Sequence, residues 1–277
     1  MKEIFEIVFN LSMLIFVAGS MVTLGLGLTI AQIIEPFKNI KMVILSVIAN
    51  FVVVPLFALA MVGLLPVSEG VRIGILLLSV GGGAPFIPTI VKVAHGKVGG
   101  AIGLMLLLLL ITIFFMPFAV PMLFPGASVG FWDIAKSLIF TMLIPLLLAL
   151  FVKARFSDLA ERIQPFTARL TNFSVLAMII AVIYLYTKII IVNASVLPII
   201  LIFFLGSMAI GYFTGGKNRD ARIIRSVGTG LRNPPVAILV ASQNFSAEPM
   251  AAMTPLLVII IGLSILFPLA AKIGKKA

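Results

Sequence analysis

The chain has 277 residues, of which 62% are hydrophobic and only 10% are charged. Soluble domains are about half apolar and about a quarter charged, so this composition predicts a polytopic membrane protein without a soluble domain. The absence of cysteine excludes disulfides, thiolate metal sites and cysteine nucleophiles. The net charge of +11 would suit nucleic acid in a soluble protein. Here we attribute it to basic residues gathered on one membrane face, and we expect no nucleic-acid partner.

Nine apolar stretches are long enough to cross a bilayer, which takes about 20 residues each. The first is too long for the core of a signal peptide, so it is predicted to be the first spanning helix. The predicted fold class is therefore all-α, with a single transmembrane transporter domain over residues 1–277. In chain order, the predicted spans are roughly 5–30, 41–64, 71–92, 98–124, 131–152, 168–191, 195–214, 223–243 and 250–271.

Basic residues are unevenly divided between the two sides of these spans. Fifteen of the 20 Lys and Arg fall in alternate connections, and only four fall on the opposite side. By the positive-inside rule, we expect an N-terminus outside and a C-terminus in the cytoplasm of the cell membrane, such as a bacterial inner membrane. The fifteen lie in Glu35–Lys41, Lys92–Lys97, Lys153–Arg169, Lys217–Arg225 and the tail from Lys272, and the four are Lys2, Arg72, Lys136 and Lys188.

The one remaining basic residue, Arg232, falls in the middle of the eighth span. None of the nine acidic residues is placed at mid-membrane depth, so the sequence offers Arg232 no carboxylate partner there. A charge at the bilayer centre costs from about 2.5 to more than about 10 kcal/mol. The candidates for compensating the charge of Arg232 are backbone carbonyls, water in a cavity or a bound anion.

Two predicted spans are interrupted by Gly and Pro. The third contains SVGGGAPFIPTI at 79–90, and the eighth contains GTGLRNPPVA at 228–237. Gly lets the backbone leave helical angles and Pro removes a donor. Two such spans are the best sequence indication of a transporter's binding site. The substrate-binding residues predicted from them are Arg232, Asn233, Thr229, Gly230, Pro234, Pro235, Gly82, Gly83, Pro85, Pro88 and Thr89.

The interrupted spans are five apart, so they are predicted to cross the membrane in opposite directions. The nine spans divide as four plus five, with a first repeat of about 1–124 and a second of about 131–272. This pattern predicts an inverted-topology repeat whose two broken helices cross near the midplane. Half-helix N-termini with free N–H groups suit an anion, and Arg232 adds a full charge there. Alternatively, Arg232 only joins the half-helices through carbonyls, and the two roles can coexist.

Four motifs, in their order and spacing, are similar to those of one known family. They are LGLGLT at 24–29, ANFVVVPL at 49–56, GGGAPFIPTIVKVAHGKVGGAI at 81–102 and GTGLRNPPVA at 228–237. Over essentially its whole length the chain thus resembles the bile acid:sodium symporter family. The resemblance implies a core domain and a panel domain that move against one another, and the symport of organic anions.

The chain departs from the family pattern at the residues that bind sodium. A Gln on the family's second helix corresponds to Asn50, which completes the predicted substrate-binding set, and Asn233 matches the family's crossover Asn. Sodium favours hard oxygen ligands, so the resemblance implies a divergent member that lacks the family's sodium ligands. Arg232 then stands where bound sodium otherwise puts positive charge. The family's Glu and Gln, its Ser-Asn pair and its two hydroxyls are replaced here by Gly228 and Arg232, Ile87 and Pro88, and Ala101 and Met105.

These observations favour a secondary active transporter or facilitative carrier of a small organic anion that works by alternating access. The alternatives are a membrane-embedded enzyme acting on a lipid or isoprenoid, and a channel or sensor. An enzyme needs a nucleophile–base pair or metal-binding carboxylates at depth, and the sequence offers neither. His95, the only histidine, is expected in a solvated loop. We therefore predict no catalytic residue, no metal and no cofactor, with the lipid bilayer and the anion as partners.

Overall fold

The computed structural model describes residues 2–29, 31, 40–125, 130–192 and 196–275, and in them it contains helices and no strand. Of the predicted basic connections, Glu35, Lys38 and Lys276 lie outside the described residues. The helices in the described part of the chain are α1 Lys2–Gly27, α2 Ile40–Leu64, α3 Glu69–Val80, α4 Ile87–Val93, α5 Val98–Leu123, α6 Phe131–Arg155, α7 Ser157–Val192, α8 Val196–Thr214, α9 Arg219–Gly230, α10 Pro234–Asn244 and α11 Pro249–Gly274.

Seven of the described helices are long and apolar enough to cross a membrane. They are α1, α2, α5, α6, α8, α11 and the Ser157–Leu185 part of α7. Each overlaps a span predicted from the sequence, so the protein is an all-helical, multi-pass membrane protein. The shorter helices α3, α4, α9 and α10 occupy the two spans that were predicted to be interrupted.

The predicted connection Lys153–Arg169 is helical over most of its length, which corrects the sequence prediction. Helix α7 begins at Ser157, well before the predicted start of the sixth span at 168. Its first turns are polar, and Glu161 forms an ion pair with Lys153, in which Nζ lies 2.9 Å from Oε1. The prediction was wrong because hydropathy reports which residues enter hydrocarbon. A helix makes its own backbone hydrogen bonds and can continue into water beyond that limit.

Helices α2 and α6 each contain a π-helical turn shortly before a proline. The turns are Ala49–Val53 and Ile139–Leu143, and Pro55 and Pro145 follow them. Proline lacks an N–H group and its ring collides with the carbonyl four residues earlier. A turn that is widened to the π spacing accommodates that collision within a continuous helix. In α2 the widened turn contains Asn50, one of the predicted site residues.

The chain divides into two compact units, and we describe each by itself. The first unit contains Met1–Ile30 and Ala135–Val196. In it, α1 packs along α6 and α7. A Cβ atom added at Gly25 would lie 2.6 Å from the Cβ of Ala149, so the missing side chain permits the close approach of α1 and α6.

The second unit contains Ala31–Ile134 and Leu197–Ala277. In it, α3 packs against α2, α10 and α11, while α4 packs against α5, α9 and α11. The contact between α3 and α11 depends on small residues, because Cβ atoms at Gly70 and Gly74 would lie 2.8 and 2.6 Å from those of Met250 and Thr254. The four short helices are thus held within one unit.

Three of the predicted basic connections meet at one end of the second unit. Lys97, before α5, forms a 3.5 Å ion pair with Asp220 in α9. Arg219 donates a 3.5 Å hydrogen bond to the carbonyl of Ile273 at the end of α11. His95 lies in the exposed turn between α4 and α5, as predicted, with a positive φ of 55°. These connections therefore share one end of the unit.

Candidate functional site

Both predicted interruptions are breaks in the helical backbone. The first break, residues 81–86, separates α3 from α4, and the second break, residues 231–233, separates α9 from α10. In the first break Gly83 has a φ of +84°, a conformation that side chains other than glycine rarely adopt. In the second break Asn233 ends the irregular segment, and its Oδ1 accepts from the N–H of Val236 at 3.4 Å as an N-cap.

The two breaks are in direct hydrogen-bonded contact. The N–H of Asn233 donates to the carbonyl of Gly81 at 3.0 Å. The amide Nδ2 of Asn233 donates to the carbonyls of Gly82 and Gly83 at 3.1 and 3.4 Å. The flanking helices also pair across the breaks, since α3 contacts α10 and α4 contacts α9. Three unwound carbonyls of the first break, those of Gly81, Gly82 and Gly83, are therefore satisfied by Asn233.

Arg232 is among the most buried side chains of the described residues, with only 1% of its surface exposed. Its Nε donates to the carbonyl of Leu78 at 3.0 Å. Its Nη2 donates to the carbonyls of Ser79 and Asn50 at 2.7 and 3.1 Å, and its Nη1 donates to Oδ1 of Asn50 at 2.5 Å. Four of the five guanidinium N–H groups are thus matched to oxygens of the protein.

The oxygens around Arg232 are all uncharged. Leu78 and Ser79 lie in the last turn of α3, where the helix dipole is negative, and the carbonyl of Leu78 also accepts from the N–H of Gly81 at 3.1 Å. Among the described residues, no Asp or Glu forms an ion pair with Arg232. The guanidinium is therefore compensated by backbone and amide dipoles, one of the possibilities that the sequence left open.

Asn50 connects α2 to this site through both ends of its amide. Its oxygen accepts from Arg232, while Nδ2 donates to the carbonyl of Ser46 at 2.9 Å and to Oγ1 of Thr229 at 3.2 Å. Asn50, Thr229 and Arg232 are all essentially inaccessible. The π turn that contains Asn50 also brings its backbone carbonyl to Arg232, a use of π turns that is frequent at functional sites.

Thr112 is a site residue that the sequence analysis missed. It lies in α5, where its Oγ1 accepts from the N–H of Gly82 at 2.8 Å and donates to the carbonyl of Gly82 at 3.2 Å. The available signal was a single hydroxyl within the apolar run LLLLLITIFF. Ser and Thr at such places often bond to neighbouring helices.

The prolines that follow the second break contradict one expectation. Pro234 and Pro235 occupy the first turn of α10 and have no N–H to offer, and the next N–H, that of Val236, is capped by Asn233. This half-helix N-terminus therefore does not present the free donors that were predicted to suit an anion. The sequence contained this information, because both prolines follow Asn233 directly.

The predicted site residues form a buried group and a more exposed group. Pro85 and Pro88 are partly exposed and Thr89 is exposed, on the side of the first break that leads into α4. They form no described hydrogen bond with Arg232. The buried group consists of Asn50, Gly82, Gly83, Thr229, Gly230, Arg232, Asn233, Pro234 and Pro235.

The family model of the Sodium Bile acid symporter family matches residues 13–193, which is more than half of the chain. The chain belongs to this family. No curated protein sequence matches it. Members of the family are membrane transporters, and membership indicates this function here. The matched segment includes the first break and ends before the second, which carries Arg232.

Three positions that the sequence analysis expected to replace the family's sodium ligands, Gly228, Ala101 and Met105, are buried. A Cβ atom at Gly228 would lie 2.5 Å from a terminal carbon of Leu104 and 4.0 Å from one of Ile87. Ala101 and Met105 are fully buried. Among the described residues, no group of three or more His, Cys, Asp or Glu is placed to hold a metal ion.

Proposed function

We propose that this symporter-family protein is a carrier of a small organic anion that works by alternating access without the family's usual sodium sites. The observation that supports this proposal is a buried arginine, Arg232, for which the described residues provide no carboxylate. A buried cation whose charge is offset only by dipoles attracts an anion. It also opposes the binding of a second cation at the same place.

Arg232 takes the place of a bound cation in this proposal. Its guanidinium is surrounded by the carbonyls of Leu78, Ser79 and Asn50 and by the amide oxygen of Asn50. Ends of half-helices and unwound carbonyls are the groups that coordinate sodium in transporters with broken helices. A permanent charge on the protein therefore supplies what an ion otherwise brings.

We propose that the anion binds beside the two breaks and is held there by the charge of Arg232. Four of the five guanidinium N–H groups of Arg232 donate hydrogen bonds, and one N–H on Nη1 has no partner among the described residues. The remaining contacts are assigned to the predicted site, with Thr89, Pro85 and Pro88 on its exposed side. Bile acids, which appear in the name of the family, are among the candidate anions.

The architecture that accompanies this function is the inverted repeat of four plus five spans. In this proposal the seven long helices form seven spans, and α3–α4 and α9–α10 form the third and eighth, as two broken helices that cross at their breaks. The repeats are about 1–124 and 131–272. The positive-inside rule places the N-terminus outside and the shared basic end of the second unit in the cytoplasm.

Sodium independence is tested on purified protein with a panel of organic anions, from short carboxylates to cholate. We expect the melting temperature and the anion Kd to be equal in sodium chloride and choline chloride at the same ionic strength. A sodium-specific gain of tenfold in affinity, about 1.4 kcal/mol, would contradict the proposal.

The role of the Arg232 charge is tested with Asn50→Asp. A carboxylate at this position still accepts from Nη1, but it neutralises the guanidinium as an ion pair. We expect a folded protein whose affinity for the best anion of the panel falls at least about tenfold. Asn10→Asp, the same change at an exposed position of α1, serves as the control and is expected to bind normally. Normal anion binding by Asn50→Asp would contradict the proposal that the charge of Arg232 attracts the anion.

A further inference from the structure

A cavity lies in the second unit beside the helices that flank the two breaks. It measures about 260 Å³, its walls are almost entirely apolar, and α4, α8, α9 and α11 enclose it. We call it the α9 cavity. Its wall residues include Ile90, Met208, Ala209, Val227, Leu266 and Ala270. The cavity is partly open to the surface, so an apolar group can enter and fill it.

One cation, Arg222, lies in the lining of the α9 cavity. Its guanidinium carbon stands 4.8 Å from the centre of the Tyr212 ring. Its Nε donates to the carbonyl of Gly216 at 2.5 Å and its Nη1 to the Tyr212 hydroxyl at 3.1 Å. These contacts fix the plane of the guanidinium, while Nη2 has no hydrogen-bond partner among the described residues. A fixed guanidinium with a free edge is suited to a phosphate.

Further positive charge surrounds Arg222. Arg219, one turn earlier on α9, is exposed and donates to the carbonyl of Ile273, which also lines the cavity. Lys272 is exposed beside Ile273. Asp220 is the acid of this part of α9, and it is paired with Lys97 at 3.5 Å. The mouth of the cavity therefore combines apolar walls with a positive rim.

The apolar surface continues outward from the cavity. Leu269 lines it and is 40% exposed, and Tyr212 lines it and is 43% exposed. Phe213, whose ring lies 5.8 Å from that of Tyr212, is 79% exposed. Large apolar side chains exposed on a membrane protein face the bilayer. The occupant is therefore expected to arrive from the lipid rather than from water.

We propose that the α9 cavity binds one anionic phospholipid, with an acyl chain inside it and the headgroup phosphate on Arg222 and Arg219. Basic pockets between membrane helices at the cytoplasmic side are suited to anionic headgroups. The bound chain would lie against Val227 and Ser226 of α9, the helix that ends at Gly230 beside the second break. Anionic lipid is thus expected to stabilise the helix that leads to Arg232.

The test uses the purified full chain in neutral detergent, with lipid binding measured by native mass spectrometry. Phosphatidylglycerol is expected to bind at least about tenfold more tightly than phosphatidylcholine with the same chains, and to raise the melting temperature more. Glycerol 1-phosphate, which carries the charge without the chains, is expected not to displace it. Displacement by glycerol 1-phosphate, or equal affinity for the two lipids, would overturn the proposal.

Two variants separate the rim from the cavity. Arg219→Gln/Arg222→Gln is expected to lower the affinity for phosphatidylglycerol to that for phosphatidylcholine, whereas Arg162→Gln, exposed on α7, is expected to change nothing. Ala209→Phe fills the cavity and is expected to lower the affinity for both lipids at least about tenfold. Ala60→Phe, at an exposed position of α2, is the control and is expected to leave both affinities unchanged. Should the double variant fail to fold, Arg219→Gln alone is expected to lose part of the selectivity. Full selectivity in Arg219→Gln, or wild-type affinity for both lipids in Ala209→Phe, would sink the proposal.

Discussion

The first break holds six residues, three of them glycine, whereas the second holds three residues and no glycine. In every described hydrogen bond that joins Arg232 or Asn233 to the first break or to the end of α3, the donor lies on the second break and the acceptor is a backbone carbonyl. One segment thus supplies oxygens and the other supplies N–H groups. Two unwound segments can satisfy each other at membrane depth when their hydrogen-bonding roles are complementary in this way.

The division of roles explains the composition of each break. Carbonyls need no side chain, so the first break can consist of glycines that let the backbone approach α5 closely. The donors must reach several carbonyls at once, which requires a long side chain with several N–H groups, as in Arg232, and a short amide, as in Asn233. The comparison predicts that changes to the donor side affect both breaks, and that changes to the acceptor side depend on backbone geometry.

The largest effect is expected from Arg232→Gln, which removes the main donor. Carbonyls of Leu78, Ser79 and Asn50 lose partners in a buried site, and we expect a loss of roughly 3–5 kcal/mol in the free energy of unfolding. Sodium is expected to recover part of this stability, because the vacated oxygens suit a hard cation. Thermal unfolding in sodium chloride and in choline chloride at the same ionic strength measures both effects.

Arg232→Lys is the matched variant for that experiment. It keeps the charge but loses the planar fork that reaches several oxygens, so we expect an intermediate stability and no response to sodium. Anion affinity measured on the same preparations separates the two roles of Arg232. A destabilised Gln variant with unchanged anion affinity would leave Arg232 as a link between the breaks alone.

The next largest effect is expected within the first break, from Gly83→Ala. The positive φ of Gly83 disfavours a side chain, and a Cβ atom there would collide with the backbone nitrogen of Leu109 and lie 2.6 Å from the carbonyl oxygen of Met105. We expect a loss of about 2–4 kcal/mol in unfolding free energy. Gly81→Ala is the control, because its nearest neighbour would be 3.5 Å away. Similar losses at Gly81 and Gly83 would show that glycine matters here only for flexibility.

A smaller effect is expected from Asn233→Ala. The change removes the Nδ2 donor to Gly82 and Gly83 and the N-cap of α10, and about 2 kcal/mol should be lost. Asn233→Asp keeps the cap oxygen but not the donor, so it separates the two contributions. If melting temperatures showed Asp to be as stable as Asn, the bonds to the first break would carry no net stability.

The smallest effect is expected from Thr112→Val, outside both breaks. Valine has the shape of threonine without the hydroxyl that bonds both backbone groups of Gly82, so about 1 kcal/mol should be lost. Thr112→Ser keeps the hydroxyl, and its free energy of unfolding is expected to stay within a few tenths of a kcal/mol of the wild-type value. A valine variant with unchanged melting temperature would mean that Gly82 is satisfied in another way.

Several features of this site were predictable from the letters of the sequence. Gly and Pro act through the local backbone, so the clusters at 79–90 and 228–237 located both breaks. The lack of an acid at depth was equally visible, and it left dipoles, water or an anion as the partners of Arg232. The prediction of free N–H groups at the start of α10 was wrong, because the two prolines there have no N–H.

By itself the sequence determined that the chain is a helical, multi-pass membrane protein with two interrupted helices, because hydropathy, proline and glycine act on the residues that carry them. The tertiary structure decided which oxygens meet Arg232. Leu78 and Ser79 act through backbone carbonyls, which every residue has, and Asn50 reaches Arg232 from 182 positions away in the chain. Such partners are set by the packing of α2 and α3 around the second break, because a carbonyl becomes a ligand only through its position in space.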